Sequence, residues 1–233
     1  MPTTGLETDA GKTLDLARYL DHTLLKANTT TAQVRTLCEE ARRWEFASVC
    51  LPPRFVPLAV GQLSGSTVAV GTVIGFPLGY QTTASKVFEA KQAVSDGASE
   101  LDMVISLGHA LDESIEQVEE EIVAIVSAAG PAVVKVIIEC CYLNDDLKGD
   151  LAEAVVRAGA GYVKTSTGFG SGGATLEDVR LLTERVQGKI GVKAAGGIRD
   201  LAACRAFLAA GATRIGTSNA VAIMHEILRG APS

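Results

Sequence analysis

The chain has 233 residues, of which 47% are hydrophobic and 21% charged, with a formal net charge of −6. This composition excludes a disordered or fibrous chain and suits one large core. The negative balance argues against a general binder of nucleic acid or anionic membrane, yet it leaves room for a small anionic ligand in a locally cationic cleft.

Residues 1–12 are polar and lack the apolar core of a signal peptide. They read as a flexible N-terminal arm ahead of a single catalytic domain over 13–233. The first strand is expected near Tyr19–Thr23, followed by a helix with Val34, Leu37, Cys38 and Ala41 at helical spacing. Ala47–Leu51 is the second strand, stopped by Pro52 and Pro53. A helical segment to Leu63 leads to Thr67–Ile74, whose apolar, β-branched run fits a strand covered on both faces. After the loop Gly75–Gly79, Thr82 or Thr83 can cap a helix ending at Gly97. Glu100–Ile105 is the fourth strand, and the next helix shows Ile115, Val118, Ile122 and Ile125 on one face.

Val133–Ile138 is the fifth strand, interrupted by Lys135, and a helix over Asp145–Ala158 follows. Gly161–Lys164 is the sixth. Thr175 and Asp178 have capping-box spacing at the next helix. Ile190–Ala194 is the seventh strand, Asp200 caps the helix ending at Gly211, Thr213–Gly216 is the eighth strand, and a last helix starts near Asn219. Eight strand–helix units point to an α/β fold, a closed (β/α)8 TIM barrel. A weak repeat at helix ends supports it: Gly97, Gly159 and Gly211 are 62 and 52 residues apart, each about two units. An open doubly wound sheet would instead place its glycine fingerprint after the first strand.

The five cysteines are odd in number, two are adjacent, and no C-x-x-C occurs. That is neither a disulfide framework nor a zinc site, and it suits the reducing cytoplasm. No apolar run approaches the roughly 18 residues of a membrane span, so no membrane partner is expected. His22, His109 and His225 are scattered without an H-E-x-x-H, so neither a metal nor a cofactor is called for. His22 reads as structural, Trp44 and Phe46 as outer cover of the barrel, and Glu116–Glu121 as a solvated helix face.

Barrel active sites lie at the C-terminal ends of the strands. Lys135, Lys164 and Lys193 mark three successive ends, with Asp102 on the strand before them. A buried ion-pair network could account for any one of them. Together they leave an excess of positive charge with no obvious carboxylate. A free lysine has a pKa of about 10.4, so about one molecule in 2,500 is neutral at pH 7. A second cation at ~4 Å in an effective dielectric of ~20 opposes protonation by about 4 kcal/mol, near 3 pK units. Desolvation acts in the same direction. Lys164 and Lys193 are 29 residues apart, one unit, and can be neighbours. A neutral Lys164 can attack a carbonyl to form a Schiff base, and Asp102 can carry protons.

Phosphate-friendly glycines recur at Gly168, at Gly196 and Gly197, and at Gly216 ahead of Ser218. The last two loops follow strands seven and eight, where barrels often hold phosphate. Gly170–Gly173 can simply lead into the next helix. Asp21, Thr23, Cys50, Lys135 and Thr167 are expected to support the site from behind, Cys50 as a small buried residue that could also line the pocket.

Seven segments, in order, resemble the deoxyribose-phosphate aldolase family: Asp21–Leu25, Val49–Pro52, Gly75–Gly79, Glu100–Val104, Val134–Glu139, Val163–Gly168 and Val192–Gly197. The resemblance covers nearly the whole chain after the arm. It implies a metal-free class I aldolase that reversibly cleaves 2-deoxy-D-ribose 5-phosphate to acetaldehyde and D-glyceraldehyde 3-phosphate. It places the Schiff base on Lys164, with Lys193 perturbing that amine and Asp102 in proton transfer. It also implies a homodimer or higher homo-oligomer. Some members carry a lysine where this chain has Phe169, and a serine where it has Asn219, so the phosphate contacts differ here. Two other readings are a different Schiff-base lyase, such as a transaldolase or keto-acid aldolase, and a non-catalytic sugar-phosphate binder.

Overall fold

Short apolar runs separated by amphipathic segments bury both faces only when helices cover the outside of a parallel sheet. The computed structural model, which describes residues 16–230, has that architecture. The arm assigned to residues 1–12 and the domain start at residue 13 lie outside the described residues. The first half runs β1 (Leu20–Thr23), α1 (Thr31–Trp44), β2 (Ser48–Cys50), α2 (Val56–Leu63), β3 (Ala69–Ile74), α3 (Thr83–Ser95) and β4 (Glu100–Val104). There follow α4 (Leu107–Leu111), α5 (Ile115–Ala129), β5 (Val133–Ile137), α6 (Asp145–Arg157) and β6 (Tyr162–Lys164). The chain then continues through α7 (Leu176–Val186), β7 (Gly191–Ala195), α8 (Leu201–Ala209), β8 (Arg214–Thr217) and α9 (Ala220–Gly230). All eight strands pair in sequence order, and β8 closes on β1 with Asp21 opposite Gly216.

Strand parity divides the interior in two. Leu101, Met103, Val134, Val136, Val163, Val192, Ala194 and Ile215 belong to the hydrophobic cluster shared with the helices. The alternate positions carry Asp21, Glu100, Asp102, Lys135, Lys164, Lys193 and Arg214, which meet one another inside the barrel. Successive strand side chains point to opposite faces, so one residue of slip would drive these charges into the apolar layer.

Several expectations are corrected. The short helix α4 was not anticipated. Lys135 does not mark a strand end; it is the middle residue of β5. Thr175 accepts from the Asp178 backbone at 3.0 Å, but the Asp178 carboxylate binds Lys148 at 2.7 Å instead of completing a capping box. The complete box is at α1, where Thr30 and Gln33 exchange hydrogen bonds. Phe46, by contrast, covers the barrel from outside as expected, fully buried in the sheet–helix layer against His22.

The expected solvated face of α5 is interrupted by Glu121, which is buried against Lys86 at 2.7 Å. Lys86 also donates to the Val104 carbonyl, and Glu121 accepts from the Ser106 backbone. This buried pair therefore ties α3 and α5 to the end of β4, beside Asp102. Breaking one half of a buried pair leaves the other charge uncompensated. Glu121→Ala is expected to destabilise the protein by about 3 kcal/mol, seen as a lower urea midpoint, while Lys86→Met combined with Glu121→Leu recovers most of the loss.

Candidate active site

Six strands deliver charged side chains to one buried cluster. Lys164, the last residue of β6, donates to Asp102 Oδ2 at 2.6 Å. Lys193 donates to the same oxygen at 2.6 Å and to Asp21 Oδ2 at 2.5 Å. The in-register pairing of Lys164 with Lys193 makes them side-by-side neighbours, as expected. Lys135 contacts Asp102 Oδ1 at 2.9 Å, Glu100 Oε2 at 2.6 Å and Asp21 Oδ2 at 3.1 Å. Arg214, first residue of β8, lies 2.7 Å from Asp21 Oδ1 and 3.1 Å from Glu100 Oε2, with its guanidinium over the Tyr162 ring.

The cluster thus holds four basic groups and three carboxylates. If every group were charged, one positive charge would stay uncompensated in a dry interior, which is costly. Lys164 has the weakest claim to a proton, because its single carboxylate oxygen is shared with Lys193. Burial drives its pKa down, Asp102 opposes that, and Lys193 adds to it, with a net lowering. Desolvation therefore leads and the neighbouring cation assists, the reverse of the weighting that spacing alone suggested. Burial also disfavours the charged form of Lys193, but Asp102 and Asp21 outweigh it and hold that ammonium protonated. Burial alone would raise the Asp102 carboxyl; Lys135, Lys164 and Lys193 together keep it well below the usual carboxylate range. Asp21 is held down in the same way by Lys135, Lys193 and Arg214.

Above this cluster opens a cleft of about 290 Å³. Lys164, 3% exposed, lines it, while Asp21, Asp102, Lys135 and Lys193 are at 0% and lie beneath. Gly168, Gly196, Gly197, Gly216 and Ser218 all line the same cleft, as do Thr23 and Thr167. Gly196 sits at φ +92, and a β-carbon there would come within 3.0 Å of the Gly173 α-carbon. The glycines at 168, 173 and 196 let two loop backbones pass close together, so Gly173 does more than lead into α7. At Gly216 a β-carbon would come within 3.1 Å of Lys193 Cε, so this residue makes room for the lysine as well as lining the cleft.

The loop after Lys164 is held by side chains. Thr165 exchanges hydrogen bonds with the Ala195 backbone in both directions at 3.2 Å. Thr167 donates from its backbone nitrogen to Glu139 Oε1 at 3.1 Å and from its hydroxyl to Glu139 Oε2. Thr23 donates to the Asp21 carbonyl. Cys50 does not line the cleft; its sulfur is 4.0 Å from Asp102 Oδ2, and burial pushes its thiol up to about 11. His22 points away from the cluster and pairs with Glu40 at 2.7 Å.

Four residues of the cluster, its supporting loop and the cleft lining were missed. Glu100 and Arg214 share the strand parity of Asp102 and Gly216, a period-two signal that would have placed both inside. Lys26 and the clamp Glu139 sit on loops, where no periodicity marks them. Among the described residues, no group of three or more His, Cys, Asp or Glu side chains could hold a metal ion.

A buried lysine with a lowered pKa, at the C-terminal mouth of a (β/α)8 barrel beneath glycine-rich loops, fits the class of barrel enzymes that work on carbonyl compounds. Residues 16–223 match the DeoC/LacD family aldolase model. The deoxyribose-phosphate aldolase of Syntrophotalea carbinolica is 56% identical over 210 residues, 90% of this chain and 95% of that one. The structure of a putative deoxyribose-phosphate aldolase from Coccidioides immitis superposes with TM-score 0.90 at 40% identity, covering 92% of this chain and 86% of that one. That of deoxyribose phosphate aldolase from Aeropyrum pernix, described as tetrameric, gives 0.87 at 37%, covering 94% and 93%. The chain belongs to the DeoC/LacD aldolase family, among the deoxyribose-phosphate aldolases, and is a carbon–carbon lyase.

The ion cluster has a pH signature. Asp21 and Asp102 bind protons more weakly when folded, so the stability they contribute is full above their unfolded values near 4. It is lost as pH falls below that point. Urea midpoints of the wild type are expected to drop steeply below about pH 4. Asp21→Asn, already destabilised by about 3 kcal/mol at neutral pH, is expected to show a shallower acid limb.

Proposed function

We propose that the protein reversibly cleaves 2-deoxy-D-ribose 5-phosphate to acetaldehyde and D-glyceraldehyde 3-phosphate through a Schiff base on Lys164. The observation that carries this reading is the shared oxygen: Lys164 competes with Lys193 for Asp102 Oδ2. The neutral Lys164 amine attacks C1 of the open-chain aldehyde. The carbinolamine loses water to give a protonated imine. The C2–C3 bond then breaks as the C3 hydroxyl gives up its proton, releasing the phosphorylated aldehyde and leaving an enamine on Lys164. Protonation of that enamine at carbon, then hydrolysis, frees acetaldehyde and the lysine. Asp102 lies within hydrogen-bond reach of the reacting nitrogen and is assigned to proton transfer there. Lys193 keeps positive charge beside the amine in both the free and imine states.

The phosphate is assigned to the far side of the cleft, against Gly168, Gly196, Gly197, Gly216 and Ser218. Asn219 ties two of these loops together by donating to the Arg199 carbonyl at 3.3 Å and accepting from Ser218. Five unpaired cysteines support placement in the cytoplasm, and the tetrameric Aeropyrum pernix relative supports a homo-oligomer.

Acetaldehyde with borohydride is expected to add a two-carbon unit to Lys164, mapped by peptide mass spectrometry. Equal labelling of a Lys164→Ala variant at another lysine would sink the assignment. Lys193→Met leaves Asp102 to Lys164, which raises the pKa of the Lys164 amine. The variant is expected to lose at least about ten-fold in kcat, with its pH optimum displaced upward by about one unit or more. An unmoved pH profile would remove the role given to Lys193.

A further inference from the structure

We propose that Lys26 supplies positive charge that recognises the phosphate monoester, an inference that rests on the phosphate-binding reading above. The residues lining the cleft include Lys26 and Arg199 besides Lys164, and no carboxylate. In a chain of net charge −6 this is a local reversal of sign. Neither cation makes an ion pair among the described residues, whereas Lys135, Lys164, Lys193 and Arg214 are all engaged. A phosphate monoester near neutral pH carries close to two negative charges, which two cations match.

The backbone that carries Lys26 is firmly placed. Its carbonyl accepts from the Thr29 backbone at 3.0 Å and from the Thr29 hydroxyl at 2.6 Å. Thr29 is buried, and its own carbonyl accepts from Arg54 at 3.2 Å. The turn that presents Lys26 is thereby pinned just before the α1 cap. Because β1 pairs with β8, this turn neighbours the Gly216–Ser218 loop. Lys26 and Ser218 also line a second groove beside the cleft, so the lysine stands at the edge where the glycine loops end. The loop after β6 offers no cation, since Phe169 lies there half-exposed against Phe76 at 5.3 Å between ring centroids. Phe169 thus adds an aromatic surface to the lining, and its positive charge outside the buried cluster comes from Lys26 and Arg199. Arg199 can engage phosphate with a planar fork, and Lys26 acts as a point charge.

The test compares 2-deoxy-D-ribose 5-phosphate with unphosphorylated 2-deoxy-D-ribose in the wild type, Lys26→Ala and Lys26→Arg. Lys26→Ala is expected to lose about ten-fold in selectivity for the phosphorylated sugar, carried by KM, with Lys26→Arg recovering most of it. Calorimetric titration with inorganic phosphate is expected to show a similar weakening for Lys26→Ala. A proportionate loss on both sugars, or unchanged phosphate affinity, would overturn the assignment and leave Lys26 as a loop residue only. Should the wild type cleave neither sugar, the aldolase reading fails, and the phosphate titration alone decides the role of Lys26.

Discussion

One carboxylate oxygen, Asp102 Oδ2, receives two lysines at the same distance, 2.6 Å. The chemistry assigned to the site depends on that sharing. Lys193 holds its proton because Asp21 supplies a second partner, while Lys164 has none. The difference between them is therefore made by Asp21, on a strand far from both in sequence. A lysine in a merely apolar pocket would also lose its proton, but it would lack an adjacent carboxylate to receive and return one. Here a single arrangement depresses one amine, keeps its neighbour charged and leaves a carboxylate in contact with both.

The barrel supports this arrangement by separating two interiors. Between sheet and helices lies an apolar layer of Val, Leu, Ile and Met. Inside the sheet, seven of the alternate positions are charged, and four basic groups share three carboxylates at hydrogen-bond distance. Such a network is weak as a source of stability, because desolvation offsets most of its Coulombic gain. Its worth is positional: seven side chains from six strands restrain one another, so Lys164 has little freedom in where its amine sits. The Lys86–Glu121 pair extends the same device outside the barrel by anchoring the end of β4 next to Asp102.

The cleft adds a second asymmetry. Close backbone approach at Gly168, Gly173 and Gly196 shapes the loops, and Glu139 clamps Thr167 from the neighbouring unit. The lining carries the cations Lys26 and Arg199 and the aromatic ring of Phe169. This positive charge stands there although the molecule as a whole is acidic.

Much of this was legible without coordinates. Alternating strand and helix patterns determine the closed barrel, because a covered parallel strand must be apolar on one face at least and helices must follow it at short intervals. Lys164 stood out because an ammonium at the end of an apolar strand needs an explanation. Lys193, one unit later, followed from the same spacing. What the pattern could not decide is which charges meet across the barrel. Glu100 and Arg214 join the cluster, and Lys135 lies mid-strand, through shear and register between strands, which no local period encodes. Loop residues such as Lys26 and Glu139 carry no periodic signal at all. The chain by itself determined the fold and the candidate nucleophile through local pattern. Only the tertiary structure decided the proton balance, because that balance is set by through-space distances among residues up to 193 positions apart.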